Sequence, residues 1–246
     1  MEGAWNPWHG CRKYSAGCQN CYVYRRDTSV GRDASVVRKT ADYALGTRKN
    51  RDGSYKIPSG TQIFLCMTSD FFLDDADPWR DEIWDMVRVR RDLRFFIITK
   101  RILRVKDCLP DDWGDGWEHV AFGCTVENQA ACDTRIQEFL SLPLRHRFLI
   151  CEPLLEEIIL EPYLTSQIER VIAGGESGEQ ARVCDYAWIV SLRDQCVRRG
   201  VPFWFKQTGA YFRRDGRVYD IPRERQGTQA RRMALDTTGG QPTSPA

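Results

Sequence analysis

Three cysteines near the N-terminus, Cys11, Cys18 and Cys21, stand in the spacing C-x6-C-x2-C, with His9 two residues before the first. They sit among small and aromatic residues, Trp5-Asn6-Pro7-Trp8-His9-Gly10 ahead and Tyr22 behind, rather than in a periodic apolar run. Thiols in that setting read as a ligand set, and two metal chemistries suit them. A structural zinc ion takes four ligands in a closed tetrahedron, which Cys11, Cys18, Cys21 and His9 would complete. An iron–sulfur cluster on three thiolates keeps one iron open for an exogenous ligand. Zinc ligands more often come as two short pairs separated by a dozen or more residues, so the compact triple favours the cluster. In that reading His9 is a neighbour that orients the loop or hydrogen-bonds near the cluster.

The remainder of the chain supplies elements that would position such a site. Six apolar runs of strand length recur: 63–67, 95–98, 120–124, 147–151, 171–173 and 201–205. Several alternate with helical patterns. Pro78 opens one with Ile83, Met86 and Val87 in phase; another carries Ile136, Phe139 and Leu140. A third has Asp185 as its cap, Trp188, Leu192 and Cys196 on one face, and Gly200 as its stop. Parallel neighbours need crossover connections, so the alternation predicts an α/β fold with a parallel-stranded, partial (β/α) TIM-like barrel of about six to seven strands. Residues 1–60 read as a cluster-binding segment plus a loop-rich basic insertion of the same domain, with a helix near 20–27. Residues 61–212 read as the barrel core, and 213–246 as a basic polar tail, disordered after about Gln226. The stretch from Trp5 to His9 is too short and proline-broken to count as a strand.

Each apolar run stops at polar residues: Ser69 and Asp70, Thr99 and Lys100, Glu127 and Asn128, Glu152, Glu176, then Lys206 and Gln207. In a parallel barrel all strand C-termini open on one face, so these side chains are expected to converge. Glu127, Glu152 and Lys206 are the candidate catalytic groups. Ser69, Asp70, Asn128, Gly174, Gly175, Glu176 and Gln207 are the candidate cofactor contacts, with the Gly174-Gly175 pair permitting close backbone approach to a ligand. Lys206 either meets a phosphate or carboxylate, or makes a salt bridge to Glu152 or Glu176.

Composition bounds the rest. The chain has 246 residues, 42% hydrophobic and 28% charged, with ten cysteines and a formal charge of +2. No apolar run approaches the roughly 20 residues of a membrane span, and no signal-type segment opens the chain, so a cytoplasmic location without membrane association is expected. Cys66, Cys124, Cys151 and Cys196 lie in apolar stretches and read as buried reduced thiols; Cys108, Cys132 and Cys184 stay unassigned. Basic residues cluster in 12–51, 88–106 and 213–232, a pattern suited to a polyanion or simply to a solvated face.

The segments Trp5–Cys11 and Gly17–Tyr22, with Gly174-Gly175-Glu176-Ser177-Gly178 and Phe205-Lys206-Gln207-Thr208-Gly209, resemble the phage-associated three-cysteine-motif proteins, within or beside the radical S-adenosylmethionine superfamily. The resemblance spans roughly residues 4–212. It implies a [4Fe-4S] cluster on Cys11, Cys18 and Cys21, S-adenosylmethionine as cofactor, an electron donor protein such as a flavodoxin, and isomerase or lyase chemistry begun by hydrogen-atom abstraction. The first cysteine gap departs from the C-x3-C-x2-C usual in that superfamily. Analogy with radical enzymes that act on thymine or hypermodified bases makes a DNA base or its modified side chain the expected substrate, in a host cytoplasm if phage-encoded. Arg25, Arg26, Arg48 and Lys49 are then candidates for backbone phosphates.

Overall fold

The computed structural model describes residues 2–239. The first strand, β1 (Glu2–Trp5), ends before Asn6-Pro7, so the proline that argued against a strand only terminates it. Trp8–His9 (β2) forms a two-residue antiparallel ribbon with β3 (Arg38–Lys39), and helix α1 (Tyr22–Ser29) lies between them in sequence. The expected strands and helices follow: β4 (Gln62–Leu65), α2 (Asp77–Val89), β5 (Arg94–Thr99), then a single-turn α3 (Ile102–Val105) that was not expected, β6 (Val120–Thr125), α4 (Gln129–Ser141), β7 (His146–Cys151) and β8 (Arg170–Gly174). A two-residue β9 (Cys184–Asp185) precedes α5 (Tyr186–Arg198), where Asp185 accepts from the Ala187 amide as predicted. Then come β10 (Phe203–Gln207), β11 (Tyr211–Arg214), β12 (Arg217–Asp220) and α6 (Arg223–Arg232).

Seven strands form one sheet in the order β1-β4-β5-β6-β7-β8-β10, all parallel, with helices around it: an α/β partial TIM-like barrel. Burial follows position in that order. The middle strands β6 and β7 are buried almost throughout, which is why their runs are continuously apolar, whereas β5 and β10 alternate buried with exposed or half-buried residues. By packing density, residues 2–14, 23–123 and 142–146 form one unit, and 15–22, 124–141 and 147–239 another.

In the first unit β1 pairs with β4 from Glu2↔Gln62 to Trp5↔Leu65, and β4 with β5 from Gln62↔Arg94 to Leu65↔Ile97. Its core is aromatic: Trp84 packs edge-on to Phe71 at 4.7 Å and within 6 Å of Trp113 and Trp117. The insertion after β3 is fastened by Arg90, which is fully buried. Its guanidinium donates to the Gly46 and Ile57 carbonyls at 2.7 Å and to both carboxylate oxygens of Asp92 at 2.8 and 2.9 Å. The Arg90 hydrogen bonds hold the Asp92 carboxyl at about 2, below its ordinary 3.8. A depressed carboxyl stabilises the fold above its unfolded value and loses that contribution as pH falls towards the folded one. Asp92 therefore contributes fully at neutral pH and releases its contribution between about pH 3.8 and 2. Arg90→Met is expected to cost about 3 kcal/mol in urea denaturation, because two buried carbonyls lose their donor, and to remove the Asp92 part of the acid-unfolding curve.

In the second unit β7, β8 and β10 run parallel, with β8 between the other two. Helix α5 buries Ile189, Leu192, Gln195 and Cys196, while Trp188 is only half-buried. The tail departs from expectation. β11 and β12 form a hairpin, α6 follows, and Thr237 bridges to Phe203. Ala230 and Leu235 are buried together with the hydrogen-bonded polar residues Gln226 and Thr237, so a few buried positions order a segment whose average composition is polar. Residues 240–246, the remainder of the expected disordered tail, lie outside the described residues.

A candidate thiol-ligand site at the N-terminal loop

Of the ten cysteines, the described residues include no disulfide. Cys11, Cys18, Cys21 and Cys108 are half-buried; the other six are buried. Burial pushes the thiols of Cys66, Cys151 and Cys184 well up, and those of Cys132 and Cys196 to about 12, so these are inert neutral hydrophobes, as the sequence indicates for Cys66, Cys151 and Cys196. The N-terminal thiols thus differ in exposure from every other cysteine but Cys108. Cys11 belongs to the first unit, and Cys18 and Cys21 to the second.

Around Cys11 the backbone is held tightly. Gly10 has φ +96°, and a Cβ there would stand 2.4 Å from the Val36 carbonyl oxygen, so only glycine fits. The Cys11 amide donates to Ala34 O at 2.8 Å, the Gly10 amide to Thr68 O at 3.2 Å, and Ser69 Oγ to Gly10 O. Asp70 accepts from Thr99 Oγ1 at 2.8 Å and from the Phe72 amide at 3.0 Å, and pairs with Arg101 at 3.4 Å. Arg101 donates to Arg12 O at 2.8 Å and places its guanidinium 3.9 Å from Cys11 Sγ. Ser69 and Asp70, expected as cofactor contacts, therefore brace the cysteine loop and orient a buried cation toward its sulfur. His9 gives its Nε2 to Asp27 at 2.5 Å. Burial raises the Asp27 carboxyl, but the His9 bond, reinforced by the charges of His9, Arg26 and Arg38, outweighs it and the net shift is downward.

The segment carrying Cys18 and Cys21 is gripped by two carboxylates. Ser15–Cys21 is a short 3-10 turn and loop, in which the Cys18 amide reaches Ser15 O at 2.9 Å and the Cys21 amide reaches Cys18 O at 3.4 Å. Glu127, fully buried, accepts from Ser15 Oγ and from the Gly17 amide at 3.3 Å, and pairs with Arg135 at 2.7 Å. Glu176 accepts from Asn20 Nδ2 at 3.1 Å and takes a two-pronged bond from Arg182, at 2.9 and 2.6 Å. Arg182 also donates to Ala16 O at 3.0 Å. Burial raises the Glu176 carboxyl, yet the Arg182 and Asn20 bonds leave it below its ordinary value. Both acids accept hydrogen bonds from the loop that carries Cys18 and Cys21.

Glu152, at the end of β7, meets Lys206 at 2.7 Å and Gln207 Nε2 at 2.6 Å. Lys206 thus makes the salt bridge weighed from sequence. Gln207 also donates to Gly175 O at 3.1 Å and accepts from Arg223. Asn128 caps α4, its Oδ1 accepting from the Ala131 amide at 2.9 Å. Gly175 packs on its own chain, because a Cβ there would fall 2.2 Å from Thr208 O. The structure therefore brings Glu152, Gly174, Gly175, Lys206 and Gln207 together at adjacent strand ends, and leaves Asn128 in a structural role. Sequence reasoning missed Asp27, Arg135 and Arg182 and left Arg101 and Asn20 without a role. Arg101 carried a signal, since it follows the polar end of β5 directly; Arg135 and Arg182 carried none.

Among the described residues no set of three or more His, Cys, Asp or Glu side chains is gathered to hold a metal ion. The donors offered to a metal group are Cys11 in the first unit, beside the Arg101 guanidinium, and Cys18 and Cys21 in the second, in the turn held by Glu127 and Glu176. No helix among the described residues is long and apolar enough to cross a membrane.

Fold and loop together define an α/β partial-barrel protein with a braced, thiol-bearing N-terminal segment. The chain belongs to the DUF5131 family, described as a protein of unknown function, whose model matches residues 1–239. No curated protein and no solved structure matches it.

Proposed function

We propose that this protein is a radical S-adenosylmethionine enzyme acting on a DNA base or its modified side chain. The observation that carries the reading is that the three N-terminal thiols, unlike six of the other seven, are accessible in a loop whose backbone is fixed by Glu127, Glu176 and Ser69. A [4Fe-4S] cluster on Cys11, Cys18 and Cys21, with S-adenosylmethionine, would supply the hydrogen-abstracting radical chemistry. The protein's own residues do the positioning. Arg101 offsets thiolate charge at Cys11; Glu127 and Glu176 hold the turn of Cys18 and Cys21. The exposed Lys206 and the half-buried Glu152, paired at 2.7 Å, present one cation and one acid to polar groups of substrate or cofactor. An electron donor protein such as a flavodoxin completes the proposed reaction.

Anaerobic reconstitution with iron and sulfide tests this. The expected result is a brown protein with about four irons per chain that forms 5'-deoxyadenosine when reduced with S-adenosylmethionine, and loses its iron on Cys11→Ser, Cys18→Ser or Cys21→Ser. Stoichiometric zinc without colour would point to the non-catalytic zinc-binding, nucleic-acid-binding alternative. A full cluster that yields no 5'-deoxyadenosine under reducing conditions would remove the radical assignment. A cleaved cofactor with no DNA product would shift the substrate to a small metabolite or peptide.

A further inference from the structure

A cleft of about 760 Å³ opens within the first unit, past the end of β1 and beside the β2–β3 ribbon. Its size suits a single small ligand or one nucleotide unit. Four of its lining residues are fixed cations, Arg26, Arg32, Arg38 and Lys39, against one lining carboxylate, Asp42, which is exposed and paired with Arg48 at 3.1 Å. Asp27, which is not in the lining, is bound to two residues that are, His9 at 2.5 Å and Arg26 at 3.8 Å. Counting it, the cations still outnumber the acids two to one.

These cations are lightly engaged. The Arg32 side chain makes no hydrogen bond or ion pair among the described residues; Arg38 donates to the Val36 carbonyl at 3.4 Å, and its charge also acts on Asp27. Lys39 is tethered instead, lying 3.8 Å over the Tyr43 ring and 3.6 Å from Glu82. A separate observation concerns the floor. Thr68 lines the cleft, and its Oγ1 is buried without a hydrogen-bond partner among the described residues. A buried hydroxyl left so costs about 1–3 kcal/mol, unless a ligand supplies the partner. The Asn6 side-chain oxygen accepts from the Thr68 amide at 2.9 Å, which fixes the backbone that carries this hydroxyl.

Three guanidiniums and a hydroxyl donor lining one cleft match the chemistry of a phosphate, whose oxygens accept from both. We infer that this cleft binds the phosphate of a nucleotide, with Arg26, Arg32 and Arg38 as its charge contacts and Thr68 Oγ1 as its buried donor. The same anion could come from a free nucleotide or from a phosphodiester of a strand. The assignment shifts the contact expected of Arg25, Arg26, Arg48 and Lys49. Only Arg26 of these lines the cleft; Arg48 is bound to Asp42, and Lys49 lies 5.2 Å over the Tyr55 ring.

The inference needs neither metal nor turnover, so its failure and that of the radical reading are separable. Binding of inorganic phosphate, thymidine 5'-monophosphate and a fluorescein-labelled thymidine oligonucleotide to the full chain is measured at several salt concentrations. Arg32→Gln with Arg38→Gln is expected to weaken binding at least about thirtyfold. Thr68→Val is expected to weaken it about tenfold while leaving thermal stability equal or higher, because the hydroxyl has no partner to lose. Loss confined to the monophosphate assigns the phosphate to a free nucleotide. Loss on the oligonucleotide, with a salt slope lowered by about 0.7 for each arginine contact removed, assigns it to a strand. Either supports the site. No binding of any probe, or binding that all three substitutions leave unchanged in correctly folded protein, overturns it.

Discussion

Glu127→Ala is expected to lower stability by about 3–5 kcal/mol and to free the segment that carries Cys18 and Cys21. The cost arises because Glu127 and Arg135 have side chains only 1% and 6% exposed, and removing the acid takes a 2.7 Å ion pair away from a buried guanidinium. Arg135 keeps its bond to the Thr125 carbonyl, at 2.7 Å. Ser15 Oγ and the Gly17 amide lose their acceptor in the same step. Faster hydrogen exchange at Gly17 and Cys18, ahead of global unfolding, is the expected signature. Glu127→Gln separates this role from a proton-transfer role. A positioning acid predicts that stability and iron uptake fall together in the Gln variant, since an amide replaces one acceptor oxygen facing Arg135. A catalytic acid predicts a stable, fully loaded protein that does not turn over. Should Glu127→Ala fail to fold, the Gln variant still discriminates.

Much of the fold was legible because the sheet buries its middle strands on both faces. Phe122 and Leu149 sit in runs that no surface element would carry, and their runs coincide with β6 and β7. Glu2–Trp5 was not legible for the converse reason. It is an edge strand with one buried residue, and what makes it a strand is its pairing with β4, which leaves no mark in four residues of sequence. The strand-end acids were legible as buried polar groups, but their purpose was not. Glu127 is answered from a helix by Arg135 and from the N-terminal loop by Ser15, and Glu176 by Asn20, 156 positions earlier. Spacing along a chain can announce a buried carboxylate; it cannot name a partner delivered by tertiary folding. The polar tail fails in the same way, since Gln226 and Ala230 are buried by β10 and the turn after it, not by their own neighbours in sequence.

The adjacent glycines after β8 give the second large effect, and they respond oppositely. Gly175→Ala is expected to cost about 3 kcal/mol, because the new methyl would stand 2.2 Å from the Thr208 oxygen and 2.8 Å from its carbonyl carbon, both backbone atoms that cannot rotate aside. Gly174→Ala meets nothing nearer than 3.2 Å, the Cγ of Gln207, and is expected to cost about 1 kcal/mol or less. If the pair existed to admit a ligand to the backbone, both substitutions would spare stability and both would weaken binding. The packing argument predicts a split instead, readable in thermal denaturation of the metal-free protein. The consequence extends beyond the turn. Gly175 donates to Gln207 O at 3.1 Å, and its neighbour Glu176 accepts the Ala210 amide at 2.8 Å while gripping Asn20 at 3.1 Å. Forcing the two strand ends apart therefore pulls on the residue next to Cys21. Gly175→Ala should accelerate exchange at Asn20 and Cys21, whereas Gly174→Ala should not, and equal rates in the two variants would show that the β8 turn does not hold the thiol loop.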